Sequence, residues 1–337
     1  MTSSEHPAVL VDAYSQIFRA FYAIAHLNRR DGFPTNALLG MGRLLFQLEK
    51  TQSPAAGAVF FDCGKPAFRL ELAPDYKSNR PPMPEPLRQQ MPAIRDMIAA
   101  FGWQSCQCTD YEADDLIGAA VHALPGKLFR IVSSDKDLAQ LIDDRTAMLI
   151  PARSGGGWEV RDAGAAAERF GVRPEQMVDY LSLLGDSADV IPGVPGIGPK
   201  TAAAILQKVG SLAEFFREPA LLENAGQRRK LLEAREILER NRKLITLRTE
   251  WPAALPVPEK LLRKAPPDVR KLAEIFTEYE LRSLLKELPE VPPVSAAPEA
   301  VAPEAVDLFA WQQSMADKNA GGSAPAEDDL FAGWRGE

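Results

Sequence analysis

Cysteine and histidine are scarce, with three of each in 337 residues. Cys63, Cys106 and Cys108 are too few for a disulfide framework, and Cys106-x-Cys108 has no second pair or nearby histidine at zinc spacing. All three are therefore expected to be buried thiols. His6, His26 and His122 stand in no Ser/His/Asp or H-x-x-x-H context, which argues against chemistry led by imidazole. No apolar run approaches bilayer length, and the N-terminus lacks a basic stretch followed by an apolar run and a small-residue cleavage site. A folded, cytoplasmic protein without a membrane partner is expected, and its chemistry falls to carboxylates and the cations they can hold.

Excess positive charge is missing too. The net charge is −7, which by itself argues against a nucleic-acid partner. The acid is unevenly placed, however. From Glu290 onward nine acids face only Lys318 and Arg335, so residues 1–289 are neutral overall. If some of their carboxylates hold metal ions, the working surface becomes positive by about as many units as ligands are neutralised.

Ala8–Asp12, Ala56–Asp62, Leu128–Ser133 and Ala147–Pro151 read as short buried strands, and Ala20 to Leu48 has helical periodicity interrupted near Gly32 and Pro34. Strands alternating with helices predict an α/β fold with a parallel sheet over residues 1–170, whose ligands gather beyond the carboxyl ends of the strands. After about Gly171 the pattern turns helical, with Pro174–Leu184, Pro199–Val209, Gln227–Leu247 and Val269–Leu288 as helices of a second domain, 171–289. Residues 290–337, rich in Pro, Ala, Gly and acid, have too few core residues to offset ordering entropy and are expected to be disordered.

Acids recur where the chain changes direction. They are Asp12 and Asp62 at strand ends, Glu112, Asp114 and Asp115 opening a helix, Asp135 and Asp137 after a strand, and Asp186 with Asp189. Mg²⁺ takes oxygen ligands, and a pair of dications about 4 Å apart needs several carboxylates. Each cluster also has a plainer reading as a turn or helix cap, and Thr109-x-x-Glu112 matches a capping box. Independent capping would not, however, place them all at successive element ends of one α/β unit. Glu112 and Asp115, three apart, share a helix face, whereas Asp114 must reach in from the flank.

Two further segments suit DNA. Gly193-Val-Pro-Gly196-Ile-Gly198-Pro-Lys200-Thr201 is a glycine hairpin leading into a helix, whose amides and Lys200 could meet a phosphate without reading bases. A nucleotide-binding P-loop is disfavoured by Pro199 between the last glycine and Lys200, and a plain helix-to-helix turn stays open. Residues 63–92 form a long excursion in which cations and aromatics interleave, from Lys65-Pro-Ala-Phe-Arg69 to Tyr76-Lys77-Ser-Asn-Arg80, as single-stranded DNA would require; a solvated basic loop is the alternative. The cations of 228–243 alternate with Glu233, Glu236 and Glu239, and no site is assigned there.

Together Val11-Asp12, Phe61-Asp62, Phe68-Arg69, Tyr76-Lys77-x-x-Arg80, Tyr111-Glu112-Ala-Asp114-Asp115, Ser134-Asp135-Lys-Asp137, Gly185-Asp186-x-x-Asp189 and the Pro-Gly-Ile-Gly hairpin resemble the 5′ nuclease (flap endonuclease) family over about residues 8–288, especially the N-terminal domain of bacterial DNA polymerase I. With no polymerase segment following, a free-standing 5′-3′ exonuclease is implied. The resemblance implies a PIN-like core with a helical arch at 63–92 and a helix-hairpin-helix at about 181–209. Asp62, Glu112, Asp114 and Asp115 would hold one of two Mg²⁺ ions, for which Mn²⁺ can substitute. Asp135, Asp137, Asp186 and Asp189 would hold the other, with Asp12 beside them. Lys77 and Arg80 would act in catalysis from the arch. Arg69, Tyr76, Gly196, Gly198, Lys200 and Thr201 would contact DNA bearing 5′ ends or flaps, with K⁺ at the hairpin. Val190 departs from the family, which usually has Asn there.

The expected reaction is two-metal hydrolysis of a phosphodiester to a 5′-phosphate and a 3′-hydroxyl by a monomer, in replication and repair. Leu308-Phe309 and Leu330-Phe331 resemble the peptides that bind the bacterial sliding clamp, with Ala305 and Glu327 where the leading Gln usually stands. Two other functions remain in view: a PIN-like ribonuclease, which needs neither hairpin nor arch, and a non-catalytic adaptor for branched DNA, which gains nothing from carboxylates facing phosphate.

Overall fold

The computed structural model describes residues 6–24, 27–152 and 157–289. Strand β1 (Ala8–Asp12) is buried along its whole length, as its unbroken apolar run requires of a central strand covered on both faces. It leads directly into α1 (Ala13–Ala23). Next come α2 (Asn36–Gln52), β2 (Gly57–Phe60), α3 (Ala67–Leu72), α4 (Glu85–Arg88), α5 (Met91–Ala100), β3 (Gln104–Cys106) and α6 (Ala113–Ala123). Strand β4 (Phe129–Val132), a 3₁₀ turn at Asp137–Leu141, β5 (Thr146–Pro151), β6 (Trp158–Arg161) and α7 (Ala163–Phe170) complete this half.

The six strands lie in the order β3-β2-β1-β4-β5-β6. Five run parallel, with Leu10 opposite Ala58 on one side and Ile131 on the other, whereas β6 pairs antiparallel with β5. The expected parallel sheet is therefore mixed at one edge. Winding begins at β1, proceeds outward through β2 and β3, and resumes on the opposite side at β4. That reversal opens a crevice beyond the ends of β1 and β4, where ligands of such sheets collect. Asp12 ends β1, and Ser133 to Asp135 follow β4.

The helical half contains α8 (Met177–Leu184), a two-residue hairpin of β7 (Gly185–Asp186) and β8 (Ile191–Pro192), α9 (Pro199–Val209), α10 (Leu212–Arg217), α11 (Ala225–Glu233), α12 (Arg235–Ile245), α13 (Pro258–Leu261), α14 (Val269–Glu278) and α15 (Arg282–Leu285). The helix expected over Gln227–Leu247 divides at Ala234, and that over Val269–Leu288 breaks at Glu280, whose φ is +55°.

Alternation along β1 sends Ala8 and Leu10 to one core and Val9 and Val11 to another. The first core joins the sheet to α6, α8, α9 and α12 through Ile117, Leu181, Leu206 and Leu238. The second packs α1, α2 and α5 with Leu272, Ile275, Phe276 and Leu284. The last helices of the segment read as a helical domain thus lie against the far side of the sheet. Of the cysteines, Cys106 and Cys108 are buried, but Cys63 is partly exposed, contrary to expectation. No helix among the described residues is long and apolar enough to cross a membrane. The Leu-Phe pairs of the tail lie outside the described residues.

Candidate metal centre and nucleic-acid interface

Capping and site-building turn out to be one arrangement. Asp12 Oδ1 accepts the Ser15 amide at 3.2 Å and caps α1. Asp62 Oδ1 accepts the amide of Ala113 at 2.6 Å, Asp135 Oδ1 that of Asp137 at 2.9 Å, and Asp186 Oδ1 that of Ala188 at 2.8 Å. One oxygen of each carboxylate is held by backbone, which fixes the orientation of the other. Asp12, Asp62, Glu112, Asp114 and Asp135 line a single open cavity of about 730 Å³, together with Lys77 and Arg80. Asp137, Asp186 and Asp189 adjoin it: the charges of Asp135, Asp189 and Asp186 all act on Asp137.

These carboxylates are badly placed to be ions by themselves. Burial, then the charges of Asp62 and Asp135, push Asp12 up to about 7. Burial likewise raises Asp62, Asp114, Asp135 and Asp137, with neighbouring carboxylates adding to the shift. Glu112 goes the other way: burial would raise it, but Lys77 and Arg69 outweigh burial and hold it at about 2. Lys77 Nζ lies 2.6 Å from Glu112, Lys136 Nζ 2.7 Å from Asp186, and Arg80 pairs with Asp189. With Arg69 that makes four paired cations against nine carboxylates. An all-oxygen, net-negative set with so much mutual repulsion suits hard divalent cations, which would remove the cost of ionising it.

The excursion lies across this cavity. Between α3 and α4 it forms a strap, residues 73–84, fastened to the β7–β8 hairpin: Lys77 N–H donates to Asp189 O at 3.2 Å and Asn79 Nδ2 to Ser187 O at 2.9 Å. Two non-glycine residues here have left-handed backbones, Lys77 at φ +53° and Val190 at φ +60°. For a β-branched residue that conformation is strained, whereas Asn tolerates it. An Asn here, as the resemblance leads one to expect, would have a conformational reason that Val190 forgoes.

Two expected DNA contacts are placed differently, and one expected metal ligand has a second partner. Asp115 does share a helix face with Glu112, but that face meets Arg69, whose Nη1 and Nη2 reach Asp115 at 2.6 and 2.9 Å, and Nη1 also meets Glu112 at 2.7 Å. Asp115 is wholly buried and takes the Arg248 amide as well, yet one carboxylate oxygen from each of Glu112, Asp114 and Asp115 lies within 4.8 Å of the others, close enough to share an ion. It is Glu112 that caps α6, with Asp115 completing the capping box in place of Thr109. Arg69 is 1% exposed and Tyr76 3% exposed, with the Tyr76 hydroxyl donating to Glu112 at 2.9 Å. Both are corrected from DNA contacts to internal supports of the carboxylates, because paired acids draw them inward.

The glycine hairpin is formed. Gly193 packs on the Leu184 carbonyl so closely that a Cβ would lie 2.0 Å from it, and Gly196 needs φ +75°. A Cβ at Gly198 would meet nothing within 4 Å, α9 has no side-chain cap, and Lys200 is exposed beside Thr201. The first turn of α9 therefore offers free amides to an anion. Sequence reading missed Ser133, which donates to Asp12 Oδ2 at 2.8 Å and accepts the Asp135 amide at 3.0 Å, tying β1 to β4. It also passed over Lys136. Both adjoin Asp135, which was the available signal.

Residues 7–171 match the family described as 5′-3′ exonuclease, N-terminal resolvase-like domain, and residues 172–270 the 5′-3′ exonuclease, C-terminal SAM fold. A 5′-3′ exonuclease of Aquifex aeolicus is 36% identical over 284 residues, covering 84% of this chain and 95% of that protein. DNA polymerase I of Pseudomonas aeruginosa is 36% identical over 294 residues, covering 85% of this chain, which spans only 32% of the polymerase. Among solved structures, the T5 D15 protein co-crystallised with metal ions has a TM-score of 0.59 at 20% identity, covering 83% of this chain and 98% of that one. The catalytic core of Rad2 in complex with DNA substrate has a TM-score of 0.56 at 16% identity, covering 85% and 93%. At these identities the two structures establish the fold.

Proposed function

The chain belongs to the 5′-3′ exonuclease family, a family of metal-dependent nucleases, and on that premise we propose that it is a structure-specific 5′-3′ exonuclease and 5′-flap endonuclease acting on DNA. The observation that carries the reading is the cavity in which five carboxylates from β1, β2, α6 and the turn after β4 meet Lys77 and Arg80 of the strap. An adaptor has no use for such a set, and a ribonuclease of this class needs neither the strap nor the hairpin.

Asp62, Glu112, Asp114 and Asp115 would hold one Mg²⁺ and Asp135, Asp137, Asp186 and Asp189 the other, with Asp12 beside them and Mn²⁺ an effective substitute. Arg69 orients Glu112 and Asp115 within this set. Bound ions offset phosphate charge and acidify water for attack on phosphorus, with the 3′ oxygen leaving. Lys77 and Arg80 pair with Glu112 and Asp189, and where those carboxylates were engaged by metal both cations would be available to the phosphoryl oxygens of a strand at the strap. The first-turn amides of α9, with Gly196, Gly198, Lys200 and Thr201, would hold duplex phosphates, which sets register without reading sequence.

In this reading residues 1–170 carry most of the metal ligands, 171–289 the duplex grip, and 290–337 an acidic tail that tethers a cytoplasmic monomer to the sliding clamp. Incubation of a 5′-flap duplex with Mg²⁺ tests the activity. Wild type should cut near the junction, whereas Asp135→Ala, or wild type in EDTA, should not. Binding without cutting in either Mg²⁺ or Mn²⁺ would replace the nuclease with an adaptor.

A further inference from the structure

A lysine outside every motif reaches the glycine hairpin. Burial of Leu231 in the first core turns Lys230, the residue before it on α11, outward to the surface. From there Lys230 Nζ donates to the Pro195 carbonyl oxygen at 3.2 Å. A Cβ built at Gly196 would lie 2.7 Å from that Nζ, which places the ammonium directly against the hairpin backbone. Its neighbour Arg229 is engaged with Glu233 at 3.8 Å, but Lys230 is paired with no carboxylate among the described residues. An ammonium bonded to a neutral carbonyl keeps its full charge and has two further N–H donors. It stands at Pro195 and Gly196, just before Gly198 and the uncapped start of α9.

We propose that Lys230 is a DNA-backbone contact and the resident cation of the hairpin, in place of K⁺. The K⁺ expected there does not fit this chain: such an ion seeks carbonyl oxygens, and the Pro195 oxygen already accepts from an ammonium, whose charge opposes a second cation. Lys230 therefore supplies, 35 residues downstream of Pro195, the charge that a hairpin of neutral glycines lacks. The proposal rests on the reading of this hairpin as a duplex grip.

Dissociation constants for a 5′-flap duplex would be measured in EDTA, so that nothing is cut, in matched KCl, NaCl and tetramethylammonium chloride. Wild type should bind equally in all three salts. Each phosphate contact scales affinity by about the −0.9 power of salt concentration, so Lys230→Met should bind about eightfold more weakly at 0.1 M and with a salt slope shallower by about 0.9. Lys230→Arg should recover most of the loss. Unchanged affinity in Lys230→Met, or wild-type binding that requires K⁺, overturns the proposal. Lys200→Ala separates the two levels. If neither variant weakens binding, the hairpin is not the DNA surface and the underlying reading fails; if only Lys200→Ala does, the reading stands and the role of Lys230 falls.

Discussion

Replacing Val190 by Asn should stabilise the protein. Val190 closes the four-residue turn between β7 and β8 at φ +60°, with a long 3.4 Å amide contact to Ser187 O. The left-handed conformation costs a residue with a Cβ about 1–2 kcal/mol, and Asn much less. Against this gain stands the half-buried isopropyl group, whose loss costs at most about 1 kcal/mol. The net gain should be about 0.5–1 kcal/mol, or roughly 1 °C in midpoint for a chain of this size. Val190→Ala isolates the packing loss, since it removes the methyl groups and retains the strained backbone. Urea denaturation followed by circular dichroism should rank Asn above wild type and wild type above Ala. If Asn and Ala are equally stable, conformational strain at this position is not a factor and the argument is wrong. The turn carries Asp186 and Asp189, so the Asn variant should also reach half-maximal cleavage at a lower Mg²⁺ concentration.

Arg69→Met should cost about 3–5 kcal/mol of stability, because it leaves Asp115 and Glu112 buried without their partner; a variant of wild-type stability with weakened DNA binding would restore Arg69 to the DNA surface. Asp12, raised to about 7 from 3.8, stays protonated in the folded metal-free protein over that interval, so its contribution to stability is full below about pH 4 and is lost as pH rises to 7. In EDTA the melting temperature should fall over this interval from the Asp12 contribution, while the increment produced by Mg²⁺ should grow up to about pH 7; an increment independent of pH would remove Asp12 from the metal centre. Lys77→Met should lower the cleavage rate roughly 10²-fold or more while leaving duplex affinity within about threefold, as single-turnover and binding measurements would show. A variant that cuts at the wild-type rate would exclude Lys77 from the chemistry.

The carboxylates and strands were legible where composition leaves one reading. Ala-Val-Leu-Val-Asp can only be a covered strand ending in an acid, and Asp12 is where that pattern puts it. Strand β3, Gln104-Ser-Cys106, has neither alternation nor an apolar run and exists because β2 pairs with it. Side-chain direction was the larger obstacle. Spacing correctly put Glu112 and Asp115 on one face, but nothing local says that this face also meets the Arg69 guanidinium. Arg69 and Tyr76 looked like DNA contacts because sequence displays charge and aromaticity and conceals burial. The strap's attachment to Asp189 joins residues more than a hundred apart, which no local pattern encodes.

The first core has a further consequence. Leu10, Phe60 and Ile131 of the sheet share one interior with Leu181, Leu206 and Leu238, so the junction at 171/172 between the two family segments is a seam in the sequence and not in space. Cutting the chain there would strip α8, α9 and α12 from that interior and expose the apolar residues they cover, Leu138 and Leu141 of the 3₁₀ turn among them. Neither fragment should then be soluble, and a graft of one relative's helices onto another's sheet would inherit mismatched contacts along the entire seam. The two segments must therefore be inherited together and drift together, each serving as the other's mould.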